Sequence, residues 1–177
     1  TGITAVEESE YAKEIGIDVI VTDHHECKER IPDVYAAIDP KRKDCPYPFK
    51  SLAGVGVVFK LIQALDENKS LSDLMDKYAD LMCLGTVADI SPLIDENRVI
   101  VTEGLKRFKT TSNVGLKALI DVSTNGKAIT TSTIGYTIAP RINASGRLGC
   151  ASRSVELFLT DDAEKAKKLA ESLCEEN

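Results

Sequence analysis

Two short β-branched runs constrain this chain more than any other feature. Ile17-Asp18-Val19-Ile20-Val21-Thr22 and the stretch from Val34 to Ile38 read as buried strands, the first running into Asp23 and the second ending at Asp39-Pro40. A polar segment containing Pro32 joins them. Ahead of them the pattern predicts a helix from about Ala5 to Ile15. Thr4 and Glu7 have capping-box spacing, and Gly16 suits the stop. Helix, strand, crossover and strand together predict an α/β fold, with a partly parallel sheet flanked by helices.

The rest of the chain reads as helical. Lys41 to Lys50 forms a turn-rich loop with Pro46 and Pro48. Helical spacing then covers Leu52 to Leu65, where Gly54 and Gly56 serve close packing more often than anion approach. Ser70 and Asp73 cap a helix running to about Leu84. Further helices are predicted over Asn97 to Phe108, Val114 to Val122, Thr131 to Ile138 and Asp161 to Glu176, the last with Ala166, Leu169 and Leu173 on one face. There is no repeat and no low-complexity linker. Both ends read as cut, the first helix beginning almost at once and the last lacking a glycine cap.

Composition narrows the function classes. At 177 residues, 43% hydrophobic and 28% charged, the chain is neither a disordered tail nor a rod. No apolar run approaches the roughly 18 residues of a membrane span, and Thr1-Gly2-Ile3-Thr4 is no signal segment. Five cysteines, an odd count with no C-x-x-C pair, predict reduced thiols and a cytoplasmic protein without a cysteine-only zinc site. The net charge of −6 excludes a uniformly basic surface, so a nucleic-acid partner would be held by local cations or metals.

Three segments carry chemistry. Asp23-His24-His25 holds both histidines of the chain, next to an acid and just past a predicted strand, where α/β proteins gather ligands. Imidazole and carboxylate together suit Mn²⁺, Zn²⁺ or Fe²⁺, and the alternative is a loop with two solvated histidines. Gly85-Thr86-Val87-Ala88-Asp89 leaves a helix and presents an acid among apolar neighbours. A metal would compensate that charge, and an ordinary cap on a following turn would serve as well. Pro140-Arg141-Ile142-Asn143-Ala144-Ser145-Gly146-Arg147 offers guanidinium forks, two hydrogen-bonding side chains and a glycine whose N–H a phosphate could approach, with Arg153 extending the cationic track. The alternative there is a surface turn of salt-bridged arginines.

In this order the three segments resemble the DHH phosphoesterase family, named for the motif at Asp23-His24-His25, and within it the branch of single-strand-specific 5′→3′ exonucleases. Cys45-Pro46-Tyr47-Pro48-Phe49-Lys50 and Leu52-Ala53-Gly54-Val55-Gly56-Val57 add to the likeness, which covers nearly the whole chain. The resemblance implies a phosphodiesterase using two Mn²⁺ (or Mg²⁺) ions to release 5′-mononucleotides from single-stranded DNA in repair and recombination, with a helicase and a single-strand-binding protein as further partners. His24 and Asp89 would be metal ligands and Asp23 would orient the site. His25 would contact the scissile phosphate or hold the ligand shell. Arg141, Asn143, Ser145, Gly146 and Arg147 would grip the DNA backbone and its 5′ phosphate.

The departures matter as much. The family pattern has an Asp-x-Asp segment and a further metal-binding Asp just before a Gly-Ile pair resembling Gly2-Ile3. Neither lies within these 177 residues, and Cys150 stands where an acid is expected. The resemblance therefore implies that this stretch alone is inert and binds metal poorly. It also implies a catalytic domain over 1–160, with 161–177 starting a connector helix to a second core domain. Rival readings are another DHH phosphoesterase (oligoribonuclease, nucleotide phosphatase or pyrophosphatase) and a non-catalytic DHH scaffold. A nucleotide-binding α/β domain is a third, but no G-x-G-x-x-G or P-loop supports it.

Overall fold

The structure is a computed structural model and describes residues 1–147 and 151–175. Helix α1 spans Val6–Glu14 and starts at Ala5 without a side-chain cap, so the expected Thr4–Glu7 capping box does not form. Gly16, at φ +77°, takes the left-handed conformation that lets the chain turn out of the helix. Strands β1 (Ile20–Thr22) and β2 (Ala36–Ile38) pair in parallel, Ile20 opposite Ala36 and Thr22 opposite Ile38. Both are shorter than the predicted runs. Ile17 and Tyr35 lie exposed outside the ladder, because only the C-terminal halves of the runs come alongside each other. Among the described residues the sheet has these two strands.

Among the described residues seven further α-helices follow, of which α2 packs on β1: α2 (Gly54–Leu65), α3 (Leu71–Ala88), α4 (Asp95–Phe108), α5 (Val114–Thr124), α7 (Ala139–Arg147), α8 (Ala151–Leu159) and α9 (Ala163–Glu175). A short turn, α6 (Thr131–Thr133), leads through a π-helical turn at Ile134–Ile138 into α7. At the start of α3 the Ser70 hydroxyl accepts the Asp73 N–H while the Asp73 carboxylate accepts the Ser70 N–H, the capping box expected there. The helix then runs past Leu84. Gly85 and Thr86 belong to it, and a Cβ on Gly85 would meet Val55 Cγ1 at 2.5 Å, so glycine lets α2 press against α3.

Two cores result. One lies under the sheet, where Leu52, Val57, Phe59, Leu74, Met82 and Ile100 pack with Ile38. The larger holds the helices together through Phe108, Leu116, Leu119, Ile134, Ile138 and Leu157, with Ala166, Ala170 and Leu173 of α9. Among the described residues no helix is long and apolar enough to cross a membrane. The described cysteines, Cys27, Cys45, Cys83 and Cys174, are free; Cys150 lies outside the described residues.

Candidate metal centre

The parallel ladder ends by delivering Asp23 to the rim of the sheet, its N–H still donating to Ile38 O at 3.0 Å. The side chain is only 2% exposed, yet both carboxylate oxygens accept hydrogen bonds. Its Oδ2 accepts the Ile3 N–H at 2.8 Å. Its Oδ1 accepts the His24 N–H at 2.7 Å, the His25 N–H at 3.2 Å and the His25 ring Nδ1 at 2.6 Å. Burial by itself would push this carboxyl up; the donors from Ile3, His25 and His24 outweigh it and hold the group well below the usual carboxylate range. Asp23 is thus an ionised anchor. It requires the proton on His25 Nδ1 and leaves Nε2 of that exposed ring facing outward.

His24 points elsewhere. Its Nδ1 lies 3.6 Å from Oδ2 of Asp89, although the two residues are far apart in sequence. A Cβ on Gly54 would sit 3.2 Å from His24 Cδ2, so the first residue of α2 is the surface on which the imidazole rests. The two histidine rings are tilted by 44° with centroids 4.4 Å apart. Asp89 closes the C-terminus of α3 and is 38% exposed, with the Ser91 hydroxyl donating to its Oδ2 at 2.7 Å. It caps no following helix, since Ile94 precedes α4. A carboxylate on the negative pole of a helix is poorly placed unless a cation joins it. Ligating atoms of Asp23, His24 and His25 also lie within 4.8 Å of one another. Ligands of one octahedral divalent ion are roughly 3 Å apart, so the His24–Asp89 pair fits such an ion with a small closure.

The arginine-bearing segment is a helix and not the surface turn that was its alternative reading. Arg141 is half-buried and turned inward: its Nε donates to Cys174 Sγ at 3.1 Å and a guanidinium N–H to Thr137 O. Asn143 and Gly146 are exposed. The side chains of Ser145 and Arg147 lie outside the described residues. Helix α7 packs against α3, whose end carries Asp89, and against α9. Arg153 reaches Ser172 Oγ at 3.4 Å.

Two contributors escaped the sequence reading. Ile3 anchors Asp23 through its backbone, which no side-chain pattern announces. Asp39 follows Ile38 just as Asp23 follows Thr22, so the parallel register sets the two acids side by side, and the Asp-Pro strand end was its visible signal. Asp39 is buried, its Oδ1 accepting the Lys41 N–H at 2.8 Å while Oδ2 has no partner.

Residues 1–86 match the DHH family, N-terminal domain. Just under half of the chain thus resembles that family's N-terminal domain. The whole chain is 49% identical over 172 residues to the single-stranded-DNA-specific exonuclease RecJ of Bacillus subtilis, a match covering 96% of this chain and 21% of that protein. The crystal structure of RecJ in complex with Mn²⁺ from Thermus thermophilus superposes with a TM-score of 0.84 at 38% identity, covering 99% of this chain and 26% of that one. A crystal structure of exonuclease RecJ bound to manganese gives 0.81 at 39% identity, over 99% of this chain and 44% of that one. The chain therefore spans about a fifth of the curated relative's length, and the DHH fold class expected from sequence is the one observed.

Proposed function

We propose that this chain is part of a metal-dependent exonuclease that degrades single-stranded DNA from its 5′ end to 5′-mononucleotides, in DNA repair and recombination. The observation that carries the reading is the approach of His24 to Asp89 beside the anchored Asp23–His25 pair, on a chain related to manganese-bound exonucleases. His24 and Asp89 would hold a Mn²⁺ or Mg²⁺ ion. A pair of such ions supplies a hydroxide-generating and charge-neutralising centre for phosphodiester hydrolysis. Asp23 fixes the loop and the His25 tautomer. His25 then presents its outer nitrogen to the ligand shell as an acceptor or, as an imidazolium, to the scissile phosphate as a donor. From α7, Asn143, Ser145, the Gly146 N–H and Arg147 would meet the DNA backbone and its 5′ phosphate, with Arg141 holding that helix and adding its charge. Residues 1–160 form the catalytic part and 161–177 the start of a connector helix. A helicase and a single-strand-binding protein are the further partners proposed.

His24 and Asp89 alone are too few donors for two ions, so the 177 residues by themselves are expected to bind Mn²⁺ weakly and to release no mononucleotides. The test is a Mn²⁺ assay on a 5′-phosphorylated single strand, with the full-length protein and the 177-residue chain side by side. Release by the full-length protein only is expected. Robust release by the 177-residue chain overturns the ligand count, and release by neither overturns the nuclease reading.

A further inference from the structure

The residue after Asp89 is held in a conformation the fold does not reward. Ile90 has φ +56°, in the left-handed region, where a β-branched side chain crowds its own backbone. Its N–H donates to Val87 O at 3.1 Å and the Ser91 N–H donates to Thr86 O at 3.3 Å, so Ile90 closes α3 in the cap position that helices ordinarily give to glycine or asparagine. A strained residue is normally retained because its side chain packs. Ile90 is 89% exposed, the most exposed of the large apolar side chains described. Leu93 and Ile94 continue the exposed apolar surface along the same loop. Strain without packing points to a contact outside the fold, and backbone outliers of this kind gather at functional sites.

We propose that Ile90 is a substrate contact, its side chain lying against the sugar and base of the nucleotide whose phosphate is held at the His24–Asp89 rim. Three considerations favour a nucleotide of a single strand as the occupant. Ile90 is covalently next to Asp89, so a nucleotide whose phosphate is held there lies within a residue's reach of it. Single-stranded DNA offers bare sugar edges and base faces that a duplex hides, and apolar platforms beside the backbone track are how proteins hold such strands. The left-handed cap turns the side chain out to solvent, where an incoming strand can reach it. The inference rests on the nuclease reading and extends it: the rim would select unpaired nucleotides by apolar contact as well as by charge.

The experiment uses the full-length protein with Mn²⁺ and a 5′-phosphorylated oligothymidylate, unvaried and as Ile90→Gly and Ile90→Asn. Both replacements accept a positive φ, so the thermal midpoint should stay level or rise. KM for the single strand should rise about tenfold, with a smaller change in kcat, the loss expected when one apolar contact disappears. On a strand whose 5′-terminal nucleotides lack bases, the gap between parent and variants should narrow. KM within twofold of the parent in both variants overturns the proposal. So does a midpoint lowered in both, which would make Ile90 a packing residue for another part of the protein. If the unvaried protein releases no nucleotide, the nuclease reading falls. Binding of a labelled oligothymidylate with Mn²⁺ then decides the contact by itself: weaker binding by Ile90→Gly sustains it and equal binding ends it.

Discussion

At the strand end of the candidate metal centre, Asp23 is buried and receives four hydrogen bonds from Ile3, His24 and His25. At the helix end, Asp89 is partly exposed, accepts a single hydroxyl from Ser91, sits on the negative pole of α3 and is followed by a residue at positive φ. Both are acids at the C-terminal end of a regular element, but their lone pairs are committed differently. Asp23 spends most of its own on the protein, three of its four hydrogen bonds falling on Oδ1, in keeping with the orienting role proposed for it. Asp89 keeps valence free and gains most from a cation. One side of the rim is thus held rigid by the protein, and the proposed ligation falls to the other.

The largest expected effect tests the rigid side. Asp23→Ala leaves the Ile3, His24 and His25 donors without an acceptor, and should cost about 3–5 kcal/mol of stability, lowering the thermal midpoint by about 10 °C. Calorimetry measures this, and an unchanged midpoint would break the comparison at its stronger end. The same carboxyl predicts an acid sensitivity. Its folded value is held below the unfolded value of 3.8, so the stability it contributes is present above about pH 4 and is lost as pH falls further. Urea midpoints at pH 7 and pH 3 should therefore differ more for the parent than for Asp23→Asn.

Asp89→Ala should behave in the opposite way. Removing a negative charge from a helix C-terminus costs nothing or gains about 0.3–1 kcal/mol, while Mn²⁺ affinity of the full-length protein falls about 100-fold or more. Titration calorimetry with Mn²⁺ reads the affinity, and His24→Ala should match it. A large stability loss in Asp89→Ala would show that the helix end is anchored too.

How much of this was legible before the fold was known differs between the same two sides. The parallel pairing followed from two β-branched runs, and the approach of His24 to Asp89 from the motif resemblance. Three features were hidden. The capping box at Thr4 and Glu7 has the right spacing, but the helix begins at Ala5. The segment Pro140 to Gly146 contains Pro140, Asn143, Ser145 and Gly146, all poor helix formers, and no helix was expected there. Ile134, Ile138 and Ala139 are buried just ahead of it, and that anchoring carries the helix through. Arg141 looked like a phosphate fork, yet tertiary placement gave its donors to Cys174 and Thr137. Composition names the donors, and packing decides where they point.

Gly54→Ala probes the seam between the two sides. The new Cβ would stand 3.2 Å from His24 Cδ2, so the ring must shift by a few tenths of an ångström. Replacing a helical glycine favours α2 by up to about 1 kcal/mol, offsetting the crowding, and stability should hardly move. Mn²⁺ affinity should drop about tenfold, the size of an outer-shell disturbance. Unchanged affinity would mean that the imidazole is free to find its ligand position unaided.

Ser91→Ala should give the smallest effect and the finest reading of the open side. A carboxylate oxygen has two lone pairs, so the Ser91 hydroxyl and a cation can share Oδ2 of Asp89. The hydroxyl's contribution is then to hold the carboxylate in one rotamer, and its loss costs the ordering of one side chain, about 0.5–1 kcal/mol. Mn²⁺ affinity should fall about two- to fivefold with the thermal midpoint unmoved, because the bond is exposed. A rise in affinity would reverse the assignment: the hydroxyl would be competing with the cation for Oδ2, and the helix end would be partly satisfied by the protein.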